Sequence, residues 1–432
     1  MPQRFTSLAE WLAYFETLHP KKIDMSLDRI RVILDGLRLV PPRYKVITVG
    51  GTNGKGSCVA ILESIYRAAG YRVGAFTSPH LVRFNERIRF DGRDATDDEL
   101  IELFESIEAS LGPVTLSYFE ASAVAALLFF ERRRADVAVL EVGMGGRLDA
   151  VNAVDADAAL IASIDLDHTA WLGPDRESIG REKAGIMRAG RPAVVGDPDL
   201  PRSIAAHADE IGARLLTIGR DFRAVPEGEE WRFEGPDGVV RDGLPVVPFG
   251  AEIQYSNMAA CVTVVDALSD ILPVSEDALR AGLANAELRG RTERLVRDGV
   301  EWIFDVAHNP SAARVLRQAI EGRHASRTLA VFAAMEDKDL EGVLAPFAKL
   351  VDRWHLARPD NERGAPTAAV DRTLAALGAR ERVHHADVAS ACHAAAAEAR
   401  PGERVLVFGS FYTVGPALEA LRLYSTPPAV AS

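Results

Sequence analysis

A glycine-rich stretch with one lysine and one hydroxyl side chain, VITVGGTNGKGSCVA at 46–60, is the first place in the sequence where chemistry is expected. Its β-branched start is typical of a buried strand and its apolar end of a helix. Glycines between a strand and a helix let backbone N–H groups approach phosphate oxygens, and the helix N-terminus adds positive charge. A plain glycine turn would explain neither Lys55 nor Ser57, so the stretch predicts a phosphate-binding loop.

The spacing of this loop differs from the common pattern, in which the hydroxyl residue directly follows the lysine. Here Gly56 separates Lys55 from Ser57. The loop alone therefore leaves open which class of nucleotide-binding protein uses it.

A carboxylate follows a second predicted strand, in VLEVGMGGRLDAVN at 139–152. Glu141 ends that strand, where an open α/β sheet places its ligand-facing residues. A carboxylate opposite a phosphate loop suits Mg²⁺, which prefers oxygen ligands alongside phosphate. An ion-paired or helix-capping glutamate is the alternative.

A third strand delivers the polar cluster D-L-D-H, in SIDLDHTAWLGPDRESIGREKAGI at 163–186. His168 is positioned to ligate a metal or to contact phosphate, although an isolated histidine is more often structural. Lys183 lies in a helical stretch, and its default interpretation is a solvated lysine paired with Glu182 or a nearby acid.

The elements that must position these residues alternate between strands and helices. Runs rich in Val, Ile, Leu and Ala, without polar alternation, predict parallel strands buried on both faces. The predicted strands are 45–49, 72–76, 136–142, 158–164, 192–195 and 214–218, with helices at 57–69, 98–110 and 119–134. This alternation predicts an open α/β sheet.

An insertion and a second domain are predicted after these elements. Residues 220–252 carry Gly, Pro and short alternating runs, which are typical of a hairpin region. A second strand–helix series begins near 301, and the polar stretch at 288–299 is expected to join two domains. A chain of 432 residues also fits two domains, which we place at 1–291 and 292–432.

Composition excludes several classes of protein. Fifty basic against 62 acidic residues give a net charge of -12, unlike the basic surface of nucleic-acid binders. The 3 cysteines form no C-x-x-C pair, which fits a reducing cytoplasm better than a disulfide framework or a zinc site. No signal peptide is recognisable, and the longest apolar run, 121–130, is too short to span a bilayer. We expect a soluble cytoplasmic protein that binds neither nucleic acid nor membrane.

Several motifs in a fixed order resemble one superfamily. They are GTNGKGS, TSPHL at 77–81, LEVGMGGRLDA, DLDH followed by EKAGI, DVAHNP at 305–310 and FGSFYTVG at 408–415. Together they resemble the Mur ligases and, within them, the dihydrofolate synthase/folylpolyglutamate synthase family. The resemblance implies an N-terminal P-loop ATPase domain of Mur ligase type with the pterin site. A smaller Rossmann-like α/β domain, the glutamate-ligase domain, would follow.

The activity that the resemblance implies is ATP-dependent C–N bond formation. L-glutamate would be joined to dihydropteroate, to a (tetrahydro)folate polyglutamate, or to both, through an acyl phosphate, with release of ADP and phosphate. The expected partners are these small molecules, and the expected state is a monomer. Which acceptor the enzyme prefers stays open.

The metal ligands that the resemblance implies lie in the first domain. Ser78 and Glu141 would hold one Mg²⁺, and Glu141 with His168 would approach a second. Lys183 would carry a CO₂-derived carbamate, which gives the second metal site a carboxylate-like group.

ATP and glutamate contacts are implied in both domains. The implied ATP-binding residues are Asn53, Gly54, Lys55, Gly56, Ser57, Asn257, Arg291 and Asp305. Lys55, Lys183 and His308 would be catalytic, and His308 with Ser410 would lie near glutamate or product.

A pterin site is implied by two short stretches. Its residues would be Ile23, Asp24, Met25, Ser26, Arg147, Leu148, Asp149 and Ala150. The chain departs from the family pattern at Ser26, where glycine is common, and at Val151, where threonine is common. It also departs at Leu288–Arg289, where tryptophan-proline is common, and at Val306, where glycine is usual. None of these changes removes a charged catalytic residue, but they bear on the pterin contacts.

Two alternatives remain at this point. One is another amino-acid ligase of the same superfamily, such as a peptidoglycan-precursor ligase, although the loop at 51 leaves no room for a preceding UDP-binding domain. The other is a P-loop nucleotide switch protein. A guanine-reading N-K-x-D motif is absent from the sequence, and a switch has no need of DVAHNP or FGSFYTVG.

Overall fold

The computed structural model describes residues 4–21, 24–249 and 253–424, so the predicted pterin residue Ile23 lies outside the described residues. The chain divides into two compact units. The first comprises Met1–His80, Phe84–Pro248 and Gln254–Glu287, and the second comprises Leu81–Arg83, Phe249–Ile253 and Leu288–Ser432. Each unit is built on its own mostly parallel sheet, which confirms the predicted fold class.

The strands of the first unit form one large sheet with a parallel centre. They are β1 Lys45–Gly50, β2 Val73–Phe76, β3 Ile88–Phe90, β4 Arg93–Asp94, β5 Val137–Glu141, β6 Ala158–Ile161, β7 Pro192–Val195 and β8 Arg214–Thr217. Their order is β4-β3-β2-β5-β1-β6-β7-β8, and only β3 and β4 pair antiparallel with their neighbours. The central strands are buried along nearly their whole length, as the unalternating apolar runs predicted.

Helices cover this sheet, and side-chain caps fix where several of them begin. They are α1 Leu8–Leu18, α2 Asp28–Gly36, α3 Lys55–Ala68, α4 Asp97–Ser110, α5 Tyr118–Arg132, α6 Thr169–Leu172, α7 Arg176–Ala184, α8 Arg202–Ile211, α9 Ile253–Ala267 and α10 Glu276–Ala284. Helices α4, α5 and α7 begin with capping boxes at Thr96, Ser117 and Asp175. The side chains of each box accept backbone N–H groups that have no partner within the helix. The apolar run at 121–130 forms the buried body of α5. Among the described residues, no helix has the length and apolar character needed to cross a bilayer.

The predicted hairpin region is a small antiparallel sheet. Its strands are β9 Arg223–Glu227, β10 Glu230–Glu234 and β11 Val240–Pro245, in the order β11-β10-β9. Trp231 and Phe233 point inward while their neighbours are more exposed, which is the alternation of a strand with one buried face. Arg241 donates to both carboxylate oxygens of Asp266 on α9 at 2.8 Å, and this pair fastens the small sheet to the helix.

The second unit has a mostly parallel sheet with helices between its strands. The strands are β12 Glu293–Arg297, β13 Val300–Asp305, β14 Thr328–Phe332, β15 Arg353–Leu356, β16 Glu381–His384 and β17 Arg404–Phe408, in the order β12-β13-β17-β14-β15-β16. The helices are α11 Pro310–Ala319, α12 Leu340–Leu344, α13 Thr367–Ala376, α14 Val388–Glu398 and α15 Phe411–Ala420. Only β12 runs antiparallel to its neighbour.

The stretch at 288–299 begins where the second unit begins, at Leu288, and part of it is the strand β12 rather than a linker. Leu295 lies opposite Trp302 of β13 in this pairing. The strand is at the edge of the sheet, and Val296 is 78% exposed. The side chains of β12 therefore do not alternate between buried and exposed positions. An exposed edge strand with charged residues is difficult to distinguish from a polar linker by sequence.

A buried histidine pair lies in the second unit. His355 on β15 is buried, and its Nδ1 lies 3.0 Å from Nε2 of His385, with the two rings stacked. Nε2 of His355 lies 3.6 Å from Oε2 of Glu398. Burial, and next the neighbouring His385, lower the pKa of His355 from 6.5 to about 4.

This pair predicts that the second unit loses stability in acid. The folded unit keeps His355 neutral while the unfolded chain takes up a proton below pH 6.5, so stability is lost as the pH falls from 6.5 towards 4. His355→Gln removes this titration and should flatten the pH dependence. Hydrogen–deuterium exchange of peptides covering β14 and β15, between pH 7.5 and 4.5, measures the effect. His207→Gln on α8, which removes a histidine beside Glu210, is the control. Equal pH dependence in His355→Gln and the wild type would contradict the assignment.

Candidate active site

The predicted phosphate loop lies between β1, which ends at Gly50, and α3, which begins at Lys55. Gly51 and Gly54 have φ angles of 145° and 86°, which L side chains rarely adopt. A Cβ at Gly54 would also lie 2.9 Å from Oδ1 of Asn257. The loop therefore requires glycine at position 54 for both conformation and space.

Side chains from the loop and from the segment after β6 hold the loop in place. The Thr52 hydroxyl donates to the Asp165 carbonyl at 3.1 Å and accepts from the Asp165 N–H at 3.0 Å. The Ser163 hydroxyl makes the same reciprocal pair with the backbone of Asn53, at 3.0 and 3.1 Å. Lys55 Nζ donates to two carbonyl oxygens of the loop at 3.1 and 3.2 Å. The loop is thus preformed.

Helix α9 contributes two polar side chains to the same place. Asn257 Nδ2 donates to Gln254 Oε1 at 3.0 Å, and Gln254 Nε2 donates to the Ser57 hydroxyl at 3.3 Å. Asn257 and Ser57 are both 3% exposed. The structure therefore brings the predicted residues Gly54, Ser57 and Asn257 together. Sequence reasoning missed Gln254, which stands three residues before Asn257 and hence on the same helix face.

Glu141 lies between the loop helix and the TSPH segment. It is opposite Val49 in the register of β5 and β1 and is 5% exposed. Its Oε2 accepts the backbone N–H of Ser78 at 3.0 Å and would lie 4.0 Å from a Cβ at Gly56. The predicted pair of Ser78 and Glu141 is therefore brought together beside the phosphate loop.

The donors around Glu141 fit a hard cation that also binds phosphate. Among the residues that the structure describes, no group of three or more His, Cys, Asp or Glu side chains is arranged to hold a metal by itself. Mg²⁺ usually takes one or two carboxylates and completes its shell with water and phosphate oxygens. One buried carboxylate, a nearby serine and a phosphate loop match that requirement.

Lys183 on α7 is buried near a second lysine. It is 3% exposed, and burial, followed by the charge of Lys55, lowers its pKa from 10.5 to about 7. Asp167 and Asp149 act in the opposite direction. The structure therefore gathers Lys55, Lys183 and Asp149, which were predicted separately, and adds Asp167. The only sequence signal for Asp167 was its place in the D-L-D-H cluster.

The default interpretation of Lys183 as a solvated lysine paired with Glu182 is wrong. The Glu182 carboxylate instead accepts two bonds from the guanidinium of Arg147, at 2.8 and 3.1 Å. A helix directs neighbouring residues to different faces, so Glu182 meets Arg147 while Lys183 faces the interior.

Asp149 organises the turn that contains the other predicted pterin residues. It is 6% exposed and accepts the N–H groups of Met144 and Val151 at 3.0 and 3.1 Å. Burial raises the pKa of Asp149 to about 6, and these backbone bonds oppose that shift. Ala150 begins a buried 3-10 turn, whereas the Arg147 side chain is 54% exposed.

The two predicted pterin stretches approach each other. The Met25 methyl would lie 3.6 Å from a Cβ at Gly145, in the turn before Leu148. Asp24 accepts from Arg29 at 2.9 Å, and Arg29 also donates to Glu120 on α5 at 2.9 Å.

Two smaller contacts complete the Asp24 segment. The ring Nε2 of His19 lies 3.2 Å from the Asp24 carboxylate. The Ser26 hydroxyl accepts the N–H of Asp28, the first residue of α2, at 3.2 Å.

His168 lies in a more exposed position than the other predicted residues. It has a φ of 50°, precedes α6 and is 44% exposed in its side chain. Its N–H donates to the Asp167 carboxylate at 2.9 Å. Leu166 and Trp171, in the same segment, are 52% and 51% exposed. Asp167 therefore connects the two predicted residues, since it accepts the N–H of His168 and its charge acts on the buried Lys183.

The carboxyl end of β13 in the second unit carries a buried aspartate. Asp305 is 7% exposed and accepts the N–H groups of Thr292 and Ala307, both at 2.7 Å. Burial raises the pKa of Asp305, and the charge of Arg291 opposes this shift. The Arg291 guanidinium lies 5.4 Å from the ring centre of Phe411. Arg291 and Asp305, which were both predicted to contact ATP, therefore lie near each other in the second unit.

The other predicted residues of the second unit follow neighbouring strands. His308 Nδ1 donates to the Val306 carbonyl at 2.9 Å. After β17, the Ser410 hydroxyl lies 2.8 Å from that of Thr413, which donates to the Ala333 carbonyl at 2.6 Å. Because parallel strands expose their carboxyl ends at one edge, His308 and Ser410 belong to the same edge of this sheet.

Comparison with known proteins identifies relatives over nearly the whole chain. The Mur ligase middle domain family matches residues 49–232, and the family described as Mur ligase, glutamate ligase domain, matches residues 290–411. The dihydrofolate synthase/folylpolyglutamate synthase of Escherichia coli K12 is 43% identical over 97% of this chain and 97% of its own.

Solved structures agree with these matches. E. coli FolC in complex with DHPP and ADP superposes with a TM-score of 0.91 at 42% identity, covering 98% of this chain and 99% of that one. A bifunctional folylpolyglutamate synthase/dihydrofolate synthase with Mn, AMPPNP and L-glutamate bound has a TM-score of 0.89 at 41% identity, covering 98% and 99%.

The proximity of the two lysines predicts that their titrations are coupled. Lys55→Met removes the second cause of the shift, so the pKa of Lys183 should rise from about 7 part of the way towards 10.5, burial remaining in force. An NMR titration of ¹³Cε-labelled lysines in CO₂-free buffer measures this, with Lys183→Arg to assign the signal. Lys45→Met, which removes a 42% exposed side chain paired with Asp157, is the matched control and should leave Lys183 unchanged. An unchanged Lys183 titration in Lys55→Met would show that the two charges do not interact.

Proposed function

The chain belongs to the dihydrofolate synthase/folylpolyglutamate synthase family of Mur ligases, and we propose that Lys55, Glu141 and Lys183 form its catalytic centre. It is an ATP-dependent ligase that forms C–N bonds with glutamate. The observation that carries the proposal is the position of Glu141, which accepts the Ser78 N–H at 3.0 Å and faces Gly56 of the phosphate loop.

The reaction must activate a carboxylate, because a carboxylate does not react with an amine. The γ-phosphoryl group leaves its bridging oxygen on ADP and bonds to an oxygen of the acceptor carboxylate, which gives an acyl phosphate. The glutamate amine then attacks the carbonyl carbon, loses a proton and expels phosphate. In this scheme the loop N–H groups and Lys55 bind the phosphates and stabilise the charge that develops on them.

A divalent metal and ATP are the expected ligands of this family, since a relative binds Mn and AMPPNP. We assign one Mg²⁺ to Ser78 and Glu141 and a second to Glu141 and His168. When bound, Mg²⁺ would neutralise phosphate oxygens. The buried position of Glu141 and its contact with Ser78 support the first assignment. The second depends on His168, whose side chain is 44% exposed.

The carbamate on Lys183 is part of the same proposal. A lysine with a pKa of about 7 is largely a neutral amine at slightly alkaline pH, and a neutral amine adds CO₂ to give a carbamate and a proton. The carbamate carries a negative charge beside Lys55, which removes the repulsion between the two cations. Its two oxygens provide the carboxylate-like group that the second metal requires.

Substrate roles in the rest of the chain follow from the family. We assign ATP contacts to Asn53, Gly54, Lys55, Gly56, Ser57, Asn257 and Arg291 in the first domain, taken as 1–291, and to Asp305 in the second, taken as 292–432. His308 is assigned a catalytic role and, with Ser410, glutamate or product binding.

The acceptor would bind to the two stretches that the Met25 contact joins. These are 24–26, with Ile23 outside the described residues, and Arg147 to Ala150. Dihydropteroate and folate polyglutamates are both proposed acceptors, with DHPP bound by a relative as support.

We also propose a monomeric enzyme in a reducing, cytoplasmic compartment, with small-molecule partners and no nucleic acid or membrane partner. Cys58, Cys261 and Cys392 are all buried free thiols, which suits a compartment where disulfides do not persist.

The function predicts that ATP turnover depends on both other substrates. Purified enzyme with Mg²⁺ should release phosphate at a substantial rate only when L-glutamate and dihydropteroate, or L-glutamate and tetrahydrofolate, are present together. A coupled ADP assay combined with mass spectrometry of the product measures this. Comparing the two acceptors assigns the enzyme to first addition, chain extension or both. Equal ATP turnover without glutamate would contradict a ligase.

The carbamate predicts a specific loss and a specific rescue. Lys183→Ala should lower the ligation rate by a factor on the order of 100, as losses around a metal site do, and acetate or propionate should restore part of it. Wild-type enzyme in ¹³C-bicarbonate should show a carbamate ¹³C signal that Lys183→Ala lacks. Lys45→Ala is the control for both readouts. Full activity in Lys183→Ala, together with no ¹³C signal in the wild type, would refute the modification.

A further inference from the structure

A largely shielded arginine beside the TSPH segment uses all three of its guanidinium nitrogens. Arg89 Nε and Nη2 donate to Oε2 of Glu63 at 3.1 and 2.8 Å. Its Nη1 donates to the Thr77 hydroxyl and to the Glu86 carbonyl, both at 3.0 Å. The side chains of Arg89 and Glu63 are 19% and 7% exposed, so the pair is largely shielded from water.

The partners of Arg89 connect the phosphate-loop helix to the residue before Ser78. Glu63 is on α3, eight residues and therefore about two turns after Lys55. Thr77 directly precedes Ser78, whose N–H donates to Glu141 at 3.0 Å. The hydrogen bonds from α3 through Arg89 to Thr77 thus end one residue from the candidate metal site.

Stability alone does not account for this pair. Oε1 of Glu63 is buried and has no hydrogen-bond partner, so the carboxylate is incompletely satisfied. Buried ion pairs with unsatisfied atoms are often no more stable than apolar replacements of similar size. Burial opposes the charge of Arg89, but Glu63, and more weakly Asp94 and Glu141, raise the pKa of Arg89.

We propose that Arg89 is a positioning residue for the metal site, holding Thr77, and through it Ser78, in place against Glu141. The inference rests on the proposed function, since it takes Ser78 and Glu141 as metal ligands. Three nitrogens fixed in one plane can satisfy Glu63, Thr77 and Glu86 at the same time. A lysine ammonium is a single point on a flexible chain and cannot reach all three partners.

Metal binding, rather than turnover, tests this role. Mn²⁺ is titrated into enzyme with saturating AMPPNP, and free Mn²⁺ is measured by electron paramagnetic resonance. Arg89→Lys should weaken Mn²⁺ binding by about 10-fold or more, the usual effect of losing a group that orients a metal ligand. Thr77→Val removes only the hydroxyl and should weaken Mn²⁺ binding in the same direction. Thr77→Ser keeps that hydroxyl and should bind like the wild type.

Arg241→Lys is the matched control. Arg241 also makes two bonds to one carboxylate, that of Asp266, and the two side chains are 21% and 25% exposed. It joins the small antiparallel sheet to α9, so its loss should lower the melting temperature without changing Mn²⁺ binding.

The outcomes separate this inference from the proposed function. Wild-type enzyme that binds AMPPNP but no Mn²⁺ would overturn the assignment of the metal site itself. If Arg89→Lys and Thr77→Val both bind Mn²⁺ as tightly as the wild type does, the positioning role is overturned, even if their melting temperatures are lower. If Arg89→Lys fails to fold, the comparison of Mn²⁺ binding between Thr77→Val and Thr77→Ser is the test of the positioning role.

Discussion

Burying several charges at the carboxyl edge of one parallel sheet is the constraint on which the first unit depends. Glu141, Asp149 and Lys183 are each less than 7% exposed, and Lys55 interacts with the last two. A buried charge is expensive unless it has partners, and the interior strengthens both attraction and repulsion. The surrounding loops must therefore be held to well-defined positions, which explains why glycines and reciprocal hydroxyl–backbone bonds fasten them.

Backbone N–H groups are the partners that both units use for their buried carboxylates. Glu141 accepts one from Ser78, Asp149 accepts those of Met144 and Val151, and Asp305 accepts those of Thr292 and Ala307. A backbone donor satisfies a carboxylate without adding a charged side chain. An anionic ligand must then be attracted by local positive charge, because the net charge of -12 opposes such ligands at long range.

Residue type and local pattern predicted much of the fold and the kind of chemistry. The central strands were predictable because burial on both faces leaves uninterrupted apolar runs, and the phosphate loop because its glycines, lysine and hydroxyl have few other uses. Strands β12 and β16 were not predicted, since both are edge strands in which no residue is fully buried. Pairings between distant segments were also beyond sequence reasoning: Glu182 meets Arg147, and Arg89 meets Glu63, only because the fold brings them together.

The uneven burial of tryptophan gives this chain an optical reporter. Of its 5 tryptophans, Trp11, Trp231, Trp302 and Trp354 are at most 3% exposed, whereas Trp171 is 51% exposed, three residues after His168. A water-exposed indole emits at longer wavelength than a buried one and is reached by iodide. The long-wavelength edge of the intrinsic fluorescence therefore arises from Trp171. Iodide quenching of this emission reports changes in the solvent exposure of the His168 segment without any added label.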